Sequence, residues 1–267
     1  MKNILILIIV LSFTSVYAQK LPNVQQISLR SPANVKIDGK ATEWGNKWQA
    51  YNKGTGFFYN VANNAGYLYI IIHATDAPVT RKIIGGGISL TISTDRKTDN
   101  AVRLTYPVLA YENKKYINYN NAKVIDGEPS GIYPDSTITA NNKKLLTMAK
   151  ILSFGKVNGS DTVLSVYNNY GIQAAMLFNN KMELTVELAL DLKLLKPIIN
   201  GLSKFTYHIE CNGMEIMNLN GFDIVYNPDG TSKMKPRPGA LAPLEIEQAS
   251  YTTDFFGEYT LAKSDRE

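Results

Sequence analysis

The sequence predicts an all-β protein, an antiparallel β-sandwich of jelly-roll-like character with one or two short helices. Three observations predict it. Strand-like runs of a few residues recur along most of the chain, separated by Gly, Asn, Pro and Asp. Helical periodicity is scarce. The composition, 45% hydrophobic and 19% charged over 267 residues, supports a packed core and excludes a disordered chain or a coiled coil.

In chain order, residues 1–18 read as an export signal. Lys2 supplies the positive start, Ile4 to Phe13 the apolar stretch, and Val16-Tyr17-Ala18 the small-residue cleavage site. The apolar stretch is shorter than the roughly 20 residues a membrane span needs. Gln19, not Cys, follows the cut, which argues against a lipoprotein. The expectation is an exported protein located in the periplasm, on the cell surface or outside the cell. Residues 19–267 are expected to form a single domain.

Strands are expected at Val35 to Ile37, Gly56 to Val61, and Tyr67 to His73, the last bounded by Asn63-Asn64-Ala65-Gly66 and Asp76-Ala77-Pro78. Ile88 to Ile92 alternates apolar and polar residues between a triple glycine and a turn at Asp95-Arg96-Lys97. Further strands are expected at Arg103 to Leu109, Thr162 to Tyr167, Ile172 to Phe178, Met182 to Ala189, Phe205 to Glu210 and Tyr259 to Leu261. Asn142 to Leu152 has apolar residues near helical spacing, and Leu190 to Leu202 is a second helical candidate broken by Pro197. Prolines 228, 236, 238 and 243 exclude a central strand or helix from residues 226–243, which read as a long loop.

Residue counts exclude several functions. Cys211 is the single cysteine, so no intramolecular disulfide forms, and four-cysteine or Cys₂His₂ zinc sites are ruled out. His73 and His208 are the two histidines, too few for a tri-histidine centre. The net charge of +5 is spread in pairs such as Lys114-Lys115 and Lys143-Lys144, which argues against a phosphate-tracking surface and hence against nucleic acid as a partner.

Val35-Lys36-Ile37-Asp38-Gly39, then Glu43-Trp44, then Tyr67-Leu68-Tyr69 leading to Asp76, resemble the opening of the family 9 carbohydrate-binding modules and their DOMON-like relatives. Glu183 to Leu192 is similar to a later strand of that family, with Asp191 where proline is usual. Phe255-Phe256-Gly257-Glu258-Tyr259-Thr260-Leu261 resembles its closing strand. The resemblance implies a β-sandwich that binds sugars without cleaving them, with calcium supporting the fold and two tryptophans clamping a saccharide end. The two tryptophans here, Trp44 and Trp48, stand four residues apart, so a clamp from distant loops is not available.

Trp44 reads as a structural plug of the sandwich with its N–H hydrogen-bonded. Trp48, among polar neighbours, is a candidate ligand contact, since an indole face packs on the C–H face of a pyranose. Tyr106, Tyr111, Tyr116, Tyr119 and Tyr133 fall in one Asn- and Lys-rich stretch. The first four join Trp48 as candidate contacts, offering stacking and edge hydrogen bonds to a hydroxyl-rich ligand. Asp38 and Asp76 are candidate calcium ligands, because calcium takes carboxylate oxygens, although no EF-hand-type loop occurs. Glu187 lies in an alternating strand and can face either way, its ordinary reading being an outward, solvated carboxylate.

Glu112, Asp126, Glu128 and Asp135 are the acids considered for glycoside hydrolysis, but no motif fixes two of them together. No G-x-S-x-G elbow occurs, and Cys211 reads as a small apolar strand residue. The expectation is an exported, non-catalytic carbohydrate-binding protein. The alternatives are an assembly module of the cell envelope, presenting the proline-rich loop to a protein partner, or a glycoside hydrolase.

Overall fold

The computed structural model describes residues 20–94, 101–120, 122–125, 128–154, 162–199, 201, 203–214, 222–236 and 243–263. The expected export signal, the Asp95-Arg96-Lys97 turn, Asp126 and Pro238 lie outside them. The elements in chain order are β1 (Leu29–Arg30), a 3₁₀ turn (Thr42–Trp44), β2 (Ala50–Asn52), β3 (Phe57–Asn63), β4 (Tyr67–Ala74), α1 (Ala77–Gly86), β5 (Ile88–Ser93) and β6 (Ala101–Val108). There follow α2 (Tyr111–Lys114), β7 (Val124–Ile125), β8 (Glu128–Pro129), α3 (Asp135–Met148), β9 (Lys150–Phe154), β10 (Thr162–Ser165) and β11 (Ile172–Phe178). The chain then forms β12 (Leu184–Asp191), α4 (Leu192–Ile199), β13 (Lys204–Cys211), β14 (Phe222–Tyr226), β15 (Ser232–Pro236), α5 (Pro243–Ser250) and β16 (Thr253–Thr260).

Two sheets form the sandwich. The first has the order β1-β3-β4-β12-β11, with β2 beside β1 on the same edge of β3; the second has the order β10-β9-β6-β5-β13-β16. All their pairings are antiparallel except β1 with β3. Alternation along each strand sends one set of side chains to the shared core. From the first sheet these include Phe57, Tyr59, Val61, Leu68, Ile70, Ile72, Met176, Val186 and Leu188, and from the second Ile88, Leu90, Ile92, Val102, Leu104, Tyr207, Ile209 and Phe255. Tyr59 and Tyr207 place their hydroxyls 3.2 Å apart across the core, and the Gln25 amide donates to Tyr59 Oη at 2.9 Å. Two large polar tips are thereby buried with partners.

The all-β class and most strand positions agree with the sequence pattern; the corrections concern helices and edges. Five α-helical segments occur among the described residues instead of one or two. The helix expected at Asn142 to Leu152 starts earlier, at Asp135, and stops at Met148. Lys150–Phe154 is β9, because pairing with β6 and β10 overrides its local spacing. The second helix is α4, kept to eight residues, with Pro197 inside it removing a backbone donor. Val35 to Ile37 is not a strand but an irregular segment packed over the outer face of the first sheet.

The proline-rich stretch also differs from a plain loop. β14 and β15 form a two-stranded hairpin of their own, closed where Asp229 Oδ1 accepts from the Thr231 amide at 2.9 Å, and Pro243 opens α5. Both placements suit proline, which is tolerated on edge strands and in a helix's first turn.

Candidate functional site

The outer face of the first sheet carries the side chains that β3, β4 and β12 turn away from the core. Register aligns Phe58 with His73, His73 with Thr185, and Thr185 with Leu177, while Tyr51 of β2 lies opposite Phe58. Trp48, just before β2, lies on this row. Its indole is parallel to the His73 ring, with centroids 5.3 Å apart and planes 2° from coplanar, and its centroid lies 6.3 Å from that of Phe58. Phe58 in turn packs on Tyr51 at 4.7 Å. All four rings are half-buried, so each keeps accessible surface.

The chain around Trp48 is pinned from beneath. Asn60, fully buried in β3, accepts from the Gln49 amide at 2.7 Å and donates to the Lys47 carbonyl at 3.0 Å. One carboxamide therefore fixes the peptide groups on both sides of the tryptophan. Beside the rings, His73 Nδ1 lies 3.1 Å from Thr185 Oγ1 and Nε2 lies 3.7 Å from Glu183 Oε2. Burial holds the His73 imidazole below its ordinary pKa, and the Glu183 carboxylate partly opposes that. The arrangement is an aromatic platform with hydroxyl, imidazole and carboxylate groups along one side.

Further along the same face, the Asp38–Gly39 turn folds over β12. Glu187 Oε2 accepts from the Asp38 amide at 3.0 Å and the Gly39 amide at 2.7 Å. Gly39 has a φ of +83°, and a Cβ there would stand 2.7 Å from the Met176 carbonyl carbon. Only glycine suits that backbone and that close approach. Glu187 is 0% exposed, which corrects the expectation of a solvated carboxylate, and burial raises its pKa to about 7. Trp44 is buried beside this turn with Ala41, Tyr69, Ile71 and Ala189, in keeping with a plug. Its Nε1, expected to be hydrogen-bonded, has no partner among the described residues.

The expected contacts divide. Trp48 is on the platform. Tyr106 is 2% exposed in the inter-sheet core, where its hydroxyl pKa is raised by burial, so it offers no surface to a ligand. Strand alternation sends it inward, opposite Ile88. Tyr111 and Tyr116, at 43% and 48% exposure, lie in and just beyond α2. Tyr119 is half-buried against Phe178, with the Arg81 guanidinium 4.4 Å above its ring. The ring partners of Trp48 are Phe58 and His73, so the structure does not join it to the tyrosine segment.

Asp38 and Asp76 stand on separate segments, the turn over β12 and the start of α1. Asp38 accepts from the Lys40 amide and lies 3.9 Å from the Lys40 ammonium, whereas Asp76 precedes α1 at its N-terminus. Among the described residues, no group of three or more acids, histidines or cysteines is placed to hold a metal ion. Of the acids considered for hydrolysis, Glu112, Glu128 and Asp135 stand on three separate elements, α2, β8 and α3. Cys211 faces the core and burial pushes its thiol up to about 12, far from a nucleophile's range.

Phe58, His73, Thr185 and Tyr51 were not singled out from the sequence. Alternation in Phe57-Phe58-Tyr59-Asn60 signals an outward Phe58, but which strands bring His73 and Thr185 beside it depends on sheet order.

No family model matches the chain, and no curated protein matches it. Among solved structures, a carbohydrate binding module family 9 domain from Caldicellulosiruptor kristjanssonii, in complex with glucose, matches 90% of this chain and 97% of its own length. Identity is 10% and the TM-score 0.37, so the chain is similar to that domain in outline, and its function has to be read from its own residues.

Proposed function

We propose that this is an exported, non-catalytic carbohydrate-binding protein, with a sugar ring stacked at Trp48. The observation that carries the reading is the row Trp48–His73–Phe58–Tyr51, four part-exposed rings set in register on one sheet face. A pyranose presents apolar C–H faces and a hydroxyl rim. The rings supply the apolar surface, and His73, Thr185 and Glu183 supply donors and acceptors at its side. His73 backs one face of the indole and Asn60 holds its backbone, so little ordering entropy remains to be lost on binding. Export rests on the leader-like residues 1–18.

The test is a glycan array on the chain from Gln19, followed by calorimetric titration of the best glycan. Trp48→Ala is expected to weaken binding at least tenfold, about 1.4 kcal/mol, with an unchanged far-UV spectrum. Tyr111→Ala and Tyr116→Ala are expected to leave affinity intact. A Trp48→Ala variant that binds as tightly as the parent would overturn this site. A folded protein that binds no glycan would leave the envelope-partner alternative, with the β14–β15 hairpin and its 74% exposed Tyr226 as the surface to delete.

A further inference from the structure

A concave site lies on the other sheet. The segment before β1 runs beside β16, and between them is a cleft of about 310 Å³ lined by Val24, Gln25, Gln26, Thr206, Phe256, Gly257 and Glu258. That volume is at the lower end of the roughly 300–1,000 Å³ typical of small-molecule sites.

The walls of the cleft are fixed by hydrogen bonds and a ring contact. On one side, the Gln25 amide donates to Tyr59 Oη, and the Gln25 carboxamide both donates to the Val61 carbonyl and accepts from the Val61 amide, each at 2.7 Å. Ser28 Oγ donates to the Thr260 carbonyl at 2.6 Å, tying the segment to the end of β16. On the other side, Phe255 and Tyr259 turn into the core, so Phe256 turns outward. There its ring is parallel to His208, with centroids 3.9 Å apart and planes at 4°. His208 Nε2 is in turn 2.6 Å from Asp254 Oδ2. Phe256 is thus a pre-set aromatic wall rather than a loose surface ring.

The chemistry of the lining selects the ligand. It offers one aromatic ring, the Thr206 hydroxyl, the Gln26 carboxamide and the Glu258 carboxylate, which is paired with Lys204 Nζ at 2.7 Å. Lys204, the cation beside this wall, is already engaged by Glu258, so a phosphate or an acidic sugar would have to compete with that carboxylate for it. Neutral hydroxyls, which both donate and accept, suit Thr, Gln and Glu together. We infer that this cleft is a second ligand site, taking a single neutral pyranose unit against Phe256. The ligand class rests on the carbohydrate reading above; the location of the cleft does not. With the Trp48 platform on the opposite sheet, the module would engage two sugar residues at once, and avidity would exceed the affinity of either site.

The experiment is an amide NMR titration of the chain from Gln19 with the methyl glycosides of glucose, galactose and mannose. The parent, Trp48→Ala, Thr206→Val and Glu258→Gln are compared. The expected result is a saturable shift of the Gln26, Thr206, Phe256 and Gly257 amides with at least one glycoside. It should be retained in Trp48→Ala and weakened about tenfold in Thr206→Val or Glu258→Gln. Shifts confined to the neighbours of Trp48 and His73 would overturn the cleft and leave the platform standing. Cleft shifts without any response near Trp48 would support the cleft and count against the platform. Cleft shifts unchanged in both Thr206→Val and Glu258→Gln, or absent with all three glycosides, would overturn this site.

Discussion

At the scale of single residues, Glu187 carries the sharpest pH signature. Its carboxyl is buried under the Asp38–Gly39 turn, and it stays protonated to about pH 7, against 4.5 ordinarily. Between those two values the unfolded chain releases a proton that the native state keeps. Stability from this residue is therefore fully present below about pH 4.5, falls as pH rises, and levels off above about 7. The loss amounts to about 3 kcal/mol at most. Denaturant unfolding at pH 5 and pH 7.5 is expected to show it, and Glu187→Gln, which keeps an acceptor for the two amides, is expected to flatten the difference. Nothing in Thr185-Val186-Glu187-Leu188 marks this residue as buried, since strand alternation allows a solvated outer face equally well. The covering loop comes from some 150 positions earlier in the chain, beyond the reach of any local pattern.

At the scale of elements, asparagine side chains stand in for missing strand partners. β11 is the edge of the first sheet, and Asn142 of α3 caps it: its carboxamide accepts from the Phe178 amide at 2.8 Å and donates to the Phe178 carbonyl at 2.9 Å. Asn168 closes the other end by donating to the Ile172 carbonyl at 2.8 Å. An edge so capped resists pairing with another chain. Asn142→Ala removes two hydrogen bonds and is expected to cost about 1–2 kcal/mol, with faster hydrogen exchange at Phe178 and little change in β12. The strands themselves were largely legible, because β-branched and aromatic runs between turn residues are a local signal. The misassigned start of β9 shows where that signal stops: Lys150 to Leu152 reads as the tail of a helix until β6 and β10 are placed on either side of it.

At the scale of the whole molecule, stability comes from one apolar layer between two sheets, with no disulfide to support it. Cys211 lies in that layer at the end of β13 with no exposed surface, and its thiol is pushed up to about 12. Labelling by a maleimide at neutral pH is therefore expected to proceed at the rate at which the core opens. It should accelerate in denaturant in step with unfolding, and thermal unfolding should be unaffected by reductant. Fast labelling of the native protein would contradict the packing at this end of the sandwich.

The linear pattern was enough to specify an all-β sandwich and to mark Trp48 as a surface aromatic, because period-two alternation, turn residues and polar neighbours all act over a few residues. It could not separate Tyr106 from Tyr116. Both are tyrosines in one polar stretch, yet the first turns into the core of β6 and the second lies beyond α2 in solvent. Nor could it join Trp48 to His73 and Phe58, or set the Gln25 segment against Phe256. Those encounters depend on which strand lies beside which and in what register, and strand pairing links residues far apart in the chain through backbone hydrogen bonds that any side chain can make.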